Sequence, residues 1–222
     1  QRTMLFDDNW RFKKDSIIDG SSMSFDDTKW RVLDLPHDWS IEDLPNQNAD
    51  TVTGPFSRSS IGQSATGFTV GGTGWYRKKF TTAKADEKKL FTIHFDGVYM
   101  HSDVWLNGHL LGNHPYGYTP FYYDLTPFLN PAGQENVLAV KVQNEGKNSR
   151  WYSGSGIYRH VWLTITNPVH VEQWGVYITT PKVSVSTATI KIETTVGGLE
   201  KISDLSKAKL VIKIFDSKNK IV

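Results

Sequence analysis

The sequence predicts an antiparallel all-β sandwich. Hydrophobicity alternates with a period of two in successive short runs, turn residues separate those runs, and helical periodicity is almost absent. The chain is also rich in rings, with 8 Trp, 9 Tyr and 11 Phe among 222 residues. Aromatic side chains favour strands and large sandwich cores. They also suit sugars, because the apolar face of a pyranose stacks on a ring, although core burial is the commoner use.

Taken in order, FDDNWRF within residues 1–12 reads as one short strand opening the first sheet. In DDTKWRVLDLPHDW the residues Trp30, Val32 and Leu35 are expected to be buried, and Pro36 ends the extended segment by removing a donor. Ser40 to Gly74 is rich in Gly, Ser, Thr, Asn and Pro and reads as one long loop. Loops of that length inside a domain usually carry function or lack order. GWYRKKFTT is a strand that sets Trp75, Arg77 and Lys79 against Tyr76, Lys78 and Phe80, and ADEKKL after it suits one helical turn.

The run from Leu90 to Gly112 is the clearest signal. Phe91, Ile93 and Phe95 fall on one side of a strand and Thr92, His94 and Asp96 on the other. A second strand follows through Gly97 and ends at Asn107-Gly108. That dipeptide predicts a type I′ hairpin onto Leu110-Leu111, because both central residues need positive φ. Residues 113–129 are dense in Tyr and Pro without clear period. A strand then alternates Val137, Ala139 and Lys141 against Leu138, Val140 and Val142, and another runs from Ile157 to Ile165 after a glycine-bearing loop. From Asn167-Pro168 onward Gly and Trp thin out and Val, Ile, Thr and Lys dominate, which predicts a second domain of three or four strands over 168–222. A whole immunoglobulin-like sandwich takes about seven strands and about a hundred residues, so this one is expected to be incomplete.

Composition excludes several roles. Basic and acidic side chains nearly balance, 25 against 23, with no basic block, which argues against a nucleic-acid partner. No apolar run reaches the eighteen or so residues of a membrane span. Cysteine is absent, which removes disulfides and thiolate metal sites and fits any compartment. The chain starts at Gln1 rather than Met, so a processed or trimmed start is expected, with a periplasmic or extracellular address preferred to a cytoplasmic one. The seven His are scattered without short ligand spacing, and no cofactor or metal is expected. Asp7-Asp8 and Asp26-Asp27 diverge on extended chain and suit turns better than paired catalysis.

Three segments stand out. LPHDW sets His37 and Asp38 at the start of the long loop; HPYGYTPF packs aromatics and prolines together; SRWYSGSGIYR sets Arg150, Trp151 and Tyr152 before glycines that permit a sharp turn. A guanidinium beside two rings can grip a sugar hydroxyl while the rings exclude water. The plainer alternative pairs Arg150 with an internal carboxylate and puts both rings in the core. Arg159, on the expected strand, reads as structural.

WRVLDLPHDW, GGTGWYRKKF, FDGVYMHSDVWLNGHLLGNHPYGYTPFYYDLT and SRWYSGSGIYRHVWL together resemble, in order, the N-terminal domain of glycoside hydrolase family 2, most closely its β-galactosidases. The resemblance is dense over residues 4–167 and loose over 168–222. It implies a jelly-roll, galactose-binding-like sandwich over 1–167 that contacts sugar, then the start of an immunoglobulin-like domain. A catalytic (β/α)8 barrel, the chain's own downstream partner, would follow. Both catalytic glutamates of the family belong to that barrel, so Asn144-Glu145 is not their counterpart and this chain is expected to be inactive alone. The implied parent is a retaining β-galactosidase, with β-glucuronidase or β-mannosidase as sibling alternatives. A stand-alone carbohydrate-binding module is the alternative of another class, and a homo-oligomer is allowed. The loops expected at the sugar pocket carry Arg150, Trp151, Tyr152, His37 and Asp38. In some family members a carboxylate stands near the place Arg150 takes here.

Overall fold

Strand pairing in the computed structural model, which describes residues 2–16, 18–147 and 154–222, divides the chain into two units, Gln1–Thr166 and Asn167–Val222. In the first unit the strands are β1 (Arg2–Leu5), β2 (Trp10–Lys14), β3 (Arg31–Leu33), β4 (Val52–Thr53), β5 (Phe56–Ser57), β6 (Gly72–Thr81), β7 (Leu90–Phe95), β8 (Ser102–Leu106), β9 (His109–His114), β10 (Phe121–Asp124), β11 (Glu135–Asn144) and β12 (Val161–Thr166). One sheet has the order β1-β12-β7-β10 and the other β3-β2-β6-β11-β8-β9, while β4 and β5 make a small separate hairpin. All pairings are antiparallel. The chain changes sheet between β1 and β2, β6 and β7, β7 and β8, β9 and β10, β10 and β11, and β11 and β12. That repeated crossing winds a jelly-roll sandwich.

The period of two places the core. Phe91, Ile93 and Phe95 of β7 and Val161, Leu163 and Ile165 of β12 point inward from the smaller sheet. Trp10, Phe12, Tyr76, Val104, Leu106, Leu138, Val140 and Val142 meet them from the larger one. Each fully buried side chain of this kind contributes about 1.5–3 kcal/mol. On the opposite face of β6, Arg77 is wholly buried. Its guanidinium holds Asp27 at 2.8 Å and donates to the carbonyls of Gly20, Ser22 and Phe25. That clamp fastens the segment between β2 and β3 onto the sheet.

The structure corrects the sequence reading at several points. Residues 2–14 make two strands in different sheets, because Asp7 and Asn9 turn the chain and Trp10 enters the core. Val32 is 55% exposed, since β3 is an edge strand with one face in solvent. The Tyr- and Pro-rich segment contains β10, whose Phe121 pairs with Phe95 in the core. β12 begins at Val161, not Ile157; Ile157 is buried, yet its carbonyl accepts from the His37 amide in the loop after β3. The long segment holds two short 3-10 turns, Trp39–Ile41 and Gln63–Thr66, besides the small hairpin.

Two readings from the Leu90–Gly112 run and its neighbour hold. Asn107 and Gly108 have φ of 52° and 84°, as a type I′ turn requires. Lys84–Asp86 makes the single helical turn expected after β6.

The second unit holds one long hairpin, β13 (His170–Val183) with β14 (Ala188–Gly197). Its register shifts twice, between Val171 and Val176 and between Thr179 and Lys182. Where AKLVIKIF predicts a further strand, the described residues give only an isolated bridge between Phe215 and Ile221. Val211, Ile212 and Phe215 are exposed there, and a lone extended segment lacks the ladder that satisfies its backbone.

Candidate functional site

Three loop segments of the first unit converge at one end of the sandwich. The first is the LPHDW turn. His37 N–H donates to the Ile157 carbonyl at 2.8 Å and Trp39 N–H to the Ser155 carbonyl at 2.9 Å. Asp38 caps the 3-10 turn Trp39–Ile41, its Oδ1 accepting from Ser40 N–H at 2.8 Å and from the Ser40 hydroxyl at 2.6 Å. The same oxygen accepts from Ser155 N–H at 2.8 Å, across 117 residues of sequence. The second segment is Val98–Tyr99, where Tyr99 and Gly156 exchange backbone bonds of 2.9 and 3.0 Å. Gly156 sits at φ +135°, and a Cβ there would stand 2.5 Å from the His37 carbonyl oxygen, so only glycine lets the strands approach this closely. The third is HPYGYTPF. Tyr118 meets Tyr99 edge-on at 5.3 Å and Tyr116 at 5.5 Å, and the Tyr158 hydroxyl donates to the Gly117 carbonyl at 2.8 Å.

Between these segments lies a cleft of 260 Å³, lined by Pro36, His37, Asp38, Ile41, Tyr99, Tyr118, Gly154 and Tyr158. Its walls are mostly rings and aliphatic carbon, with His37 and Asp38 as charged or polar side chains among them. Ile41 and Tyr118 of that lining are exposed. Apolar concavity with a few convergent polar groups is the usual form of a small-molecule site.

His37 anchors one wall through a relay that runs from the exposed Arg31 and Glu42 to the buried Tyr76. One guanidinium nitrogen of Arg31 donates to Glu42 Oε1 at 2.5 Å and lies 2.6 Å from His37 Nε2. His37 Nδ1 lies 2.6 Å from the Tyr76 hydroxyl, which is fully buried and accepts from the Ile157 backbone, and His37 Nε2 lies 3.0 Å from Glu42 Oε1. With its hydrogen on Nε2, His37 donates to Glu42 Oε1 while Nδ1 accepts from the Tyr76 hydroxyl. Burial, helped by the Arg31 charge, lowers the His37 pKa against the pull of Glu42. Burial would raise Glu42, but hydrogen bonds from Arg31 and His37 outweigh it and hold the carboxyl below its ordinary value. Burial also pushes the hydroxyls of Tyr76 and Tyr158 up.

Of the residues singled out in the sequence, His37 and Asp38 both line the cleft, and both are held by the hydrogen bonds given above. Arg150, Trp151 and Tyr152 lie outside the described residues. Tyr118 belongs to a segment the sequence marked without a role. Tyr99 and Ile41 carried no local signal, because only the crossing from β7 to β8 and the capped turn bring them here. Arg159 is exposed beside Gly97. Among the described residues no group of three His, Asp or Glu side chains is placed to hold a metal ion. A second hollow, of 150 Å³, lies under the long segment between Ser59 and Gly72, beside Asn144.

Comparison with known proteins agrees with this architecture. The family model described as "Glycosyl hydrolases family 2, sugar binding domain" matches residues 6–168. A β-galactosidase of Bacteroides ovatus, BoGH2A, is 49% identical over 86% of this chain, which covers 21% of that protein. A putative β-glucuronidase of Formosa agariphila is 39% identical over 87% of the chain, covering 18% of that protein. The crystal structure of a family 2 glycosyl hydrolase from Bacteroides cellulosilyticus superposes with a TM-score of 0.88 at 42% identity, over 100% of this chain and 28% of that one. The chain thus spans about a fifth to a quarter of the length of these relatives. With the match running from Phe6 to Pro168, across both sheets and the segments that build the cleft, the chain belongs to the glycosyl hydrolases of family 2 and carries the family's sugar binding domain.

Proposed function

We propose that this chain is the N-terminal, non-catalytic part of a retaining β-galactosidase, in which residues 1–167 help shape the sugar pocket and pack on a downstream barrel. The 49% identity to a relative named β-galactosidase carries the reading, because it spans the cleft as well as the core. Relatives named β-glucuronidase match at 39% or lower. The carboxylates beside His37, of Glu42 and of the cleft-lining Asp38, support a non-catalytic role. A retaining glycosidase needs an acid with a raised pKa beside a free nucleophile about 5–5.5 Å away. Here Glu42 is held low by Arg31 and His37, and Asp38 is occupied as a cap.

The test uses chromogenic β-galactoside, β-glucuronide and β-mannoside with this chain and with the longer gene product. We expect no turnover by the 222-residue chain and a preference for the galactoside by the longer product. Turnover by the chain that depends on Glu145 would refute the non-catalytic reading. Preference for glucuronide or mannoside would move the parent to the sibling activity. Micromolar galactose affinity of the chain alone would favour a stand-alone binding module.

A further inference from the structure

The larger sheet carries the segment between β2 and β3 on its outer side, held there by Arg77. The outer side of the smaller sheet shows exposed Thr3, Leu5, Tyr122 and Asp124 instead. Register sets its outward side chains in rows that cross all four strands. Leu5 stands opposite Trp162, Trp162 opposite His94, and His94 opposite Tyr122. The adjoining row is Thr3, Thr164, Thr92 and Asp124. One row is therefore apolar and aromatic, and the next is a line of hydroxyls ending in a carboxylate. The Trp162 indole N–H donates to Asp96 Oδ2 at 2.9 Å, and His160 meets the ring edge-on at 5.9 Å, which fixes how the indole lies. Burial lowers the His94 pKa against the pull of Asp96, so that ring stays uncharged at neutral pH. Neither row holds a Lys or Arg. Around them, His160 bonds Asp7, Arg2 and Lys89 bond Asp86, and Arg159 lies beside Gly97, beyond Asp96.

We infer that the outer face of the smaller sheet is an open binding platform for a linear, neutral glycan lying across the strands along the Leu5–Trp162–His94–Tyr122 row. The platform shares no lining residue with the cleft. Strands lie about 4.8 Å apart, so Trp162 and Tyr122 stand about 10 Å apart, the span of two linked pyranose rings. Apolar sugar faces stack on the two rings, and sugar hydroxyls meet Asp96, Asp124 and the threonine row. A flat face buries little of a single ring, so affinity grows with each ring that reaches a further side chain. An anionic glycan meets two carboxylates and no cation on the rows. A protein surface laid here would strip water from Asp96 and Asp124 without supplying donors, whereas every sugar ring brings hydroxyls. The platform goes beyond the proposed parent activity and does not depend on which glycosidase the parent is.

The experiment titrates the ¹⁵N-labelled 222-residue chain with cellotetraose, β-1,4-galactotetraose, methyl β-D-galactopyranoside and tetragalacturonate. We expect the amides of Leu5, His94, Tyr122 and Trp162, and the Trp162 indole N–H, to shift together with at least one neutral tetrasaccharide. That tetrasaccharide should bind at least about tenfold more tightly than the monosaccharide and than tetragalacturonate. Trp162→Ala should weaken it at least about fivefold, and Tyr122→Ala, at an exposed position of edge strand β10, should do so without touching the Asp96 bond. No shift along the row with either neutral tetrasaccharide overturns the inference, as does equal affinity for one ring and four. Equal affinity for tetragalacturonate, or unchanged affinity in Tyr122→Ala, overturns it too. Shifts on the row that follow protein concentration rather than sugar would assign the face to a second copy of the chain and overturn it likewise. None of these outcomes bears on the hydrolysis test that decides the parent activity.

Discussion

Asp38→Ala should destabilise the first unit by about 2–4 kcal/mol, a large loss for a residue only partly buried. The magnitude follows from its single busy oxygen. Losing the cap on Trp39–Ile41 costs about 1 kcal/mol. Ser155 is fully buried, and its N–H has Asp38 as its acceptor, so removing the carboxylate strands a buried donor at about 1–3 kcal/mol. With a urea dependence of about 2 kcal/mol/M, the unfolding midpoint should fall by about 1–2 M. Asp38→Asn, which keeps one acceptor oxygen, should lose less than about 1 kcal/mol. Urea unfolding followed by tryptophan fluorescence reads both, and hydrogen exchange at the Ser155 amide reports the local half. A loss below about 1 kcal/mol for Asp38→Ala, with Ser155 exchange unchanged, would show that another acceptor takes the amide and that Asp38 does not tie the turn to the 154–158 segment.

Three further outcomes are expected. Arg77→Met leaves Asp27 buried with only Arg11 at 3.5 Å, so it should cost about 3–5 kcal/mol in thermal or urea unfolding, and Arg77→Met combined with Asp27→Leu should recover part of it. His37 has a pKa below 6.5 in the fold, so between that lowered value and 6.5 the unfolded chain binds the proton that the native state refuses. Stability should therefore fall as pH drops below about 6.5, and His37→Gln should flatten that slope, leaving the share of His94 and His114, which are shifted the same way. Gly108→Ala, at φ +84° with nothing within 4 Å, should cost about 1 kcal/mol from backbone strain, whereas Gly156→Ala also collides with the His37 carbonyl and should cost clearly more in the same denaturation assay.

Much of the sandwich was legible because its physics is local. Phe91, Ile93 and Phe95 alternate in the sequence and are all buried in β7. Asn107-Gly108 announced its turn through backbone sterics, which depend on two residues alone. Legibility failed where a residue's fate depends on a distant segment. Val32 has the composition of a buried strand residue, but whether another strand covers β3 is a matter of sheet order. Phe121 sits among prolines and tyrosines that hide the period of β10 until Phe95 supplies its neighbour. AKLVIKIF carries strong strand propensity, yet propensity cannot supply the adjacent ladder.

The site divides the same way. Family membership was readable from four ordered motifs, and the pairing of His37 with Asp38 at a loop entrance was readable as chemistry worth following. The sequence by itself determined the all-β class, the hairpin, the balanced charge and the aromatic supply, since each arises from the side chains or from neighbours along the chain. Only the tertiary structure decided that Asp38 lines the cleft and turns one oxygen to Ser155. It alone made His37 a strut between Glu42 and Tyr76, and it alone brought Tyr99, Tyr118 and Tyr158 to one cleft. Those contacts join residues up to 117 positions apart, and closing such loops is a property of the whole sandwich rather than of any stretch within it.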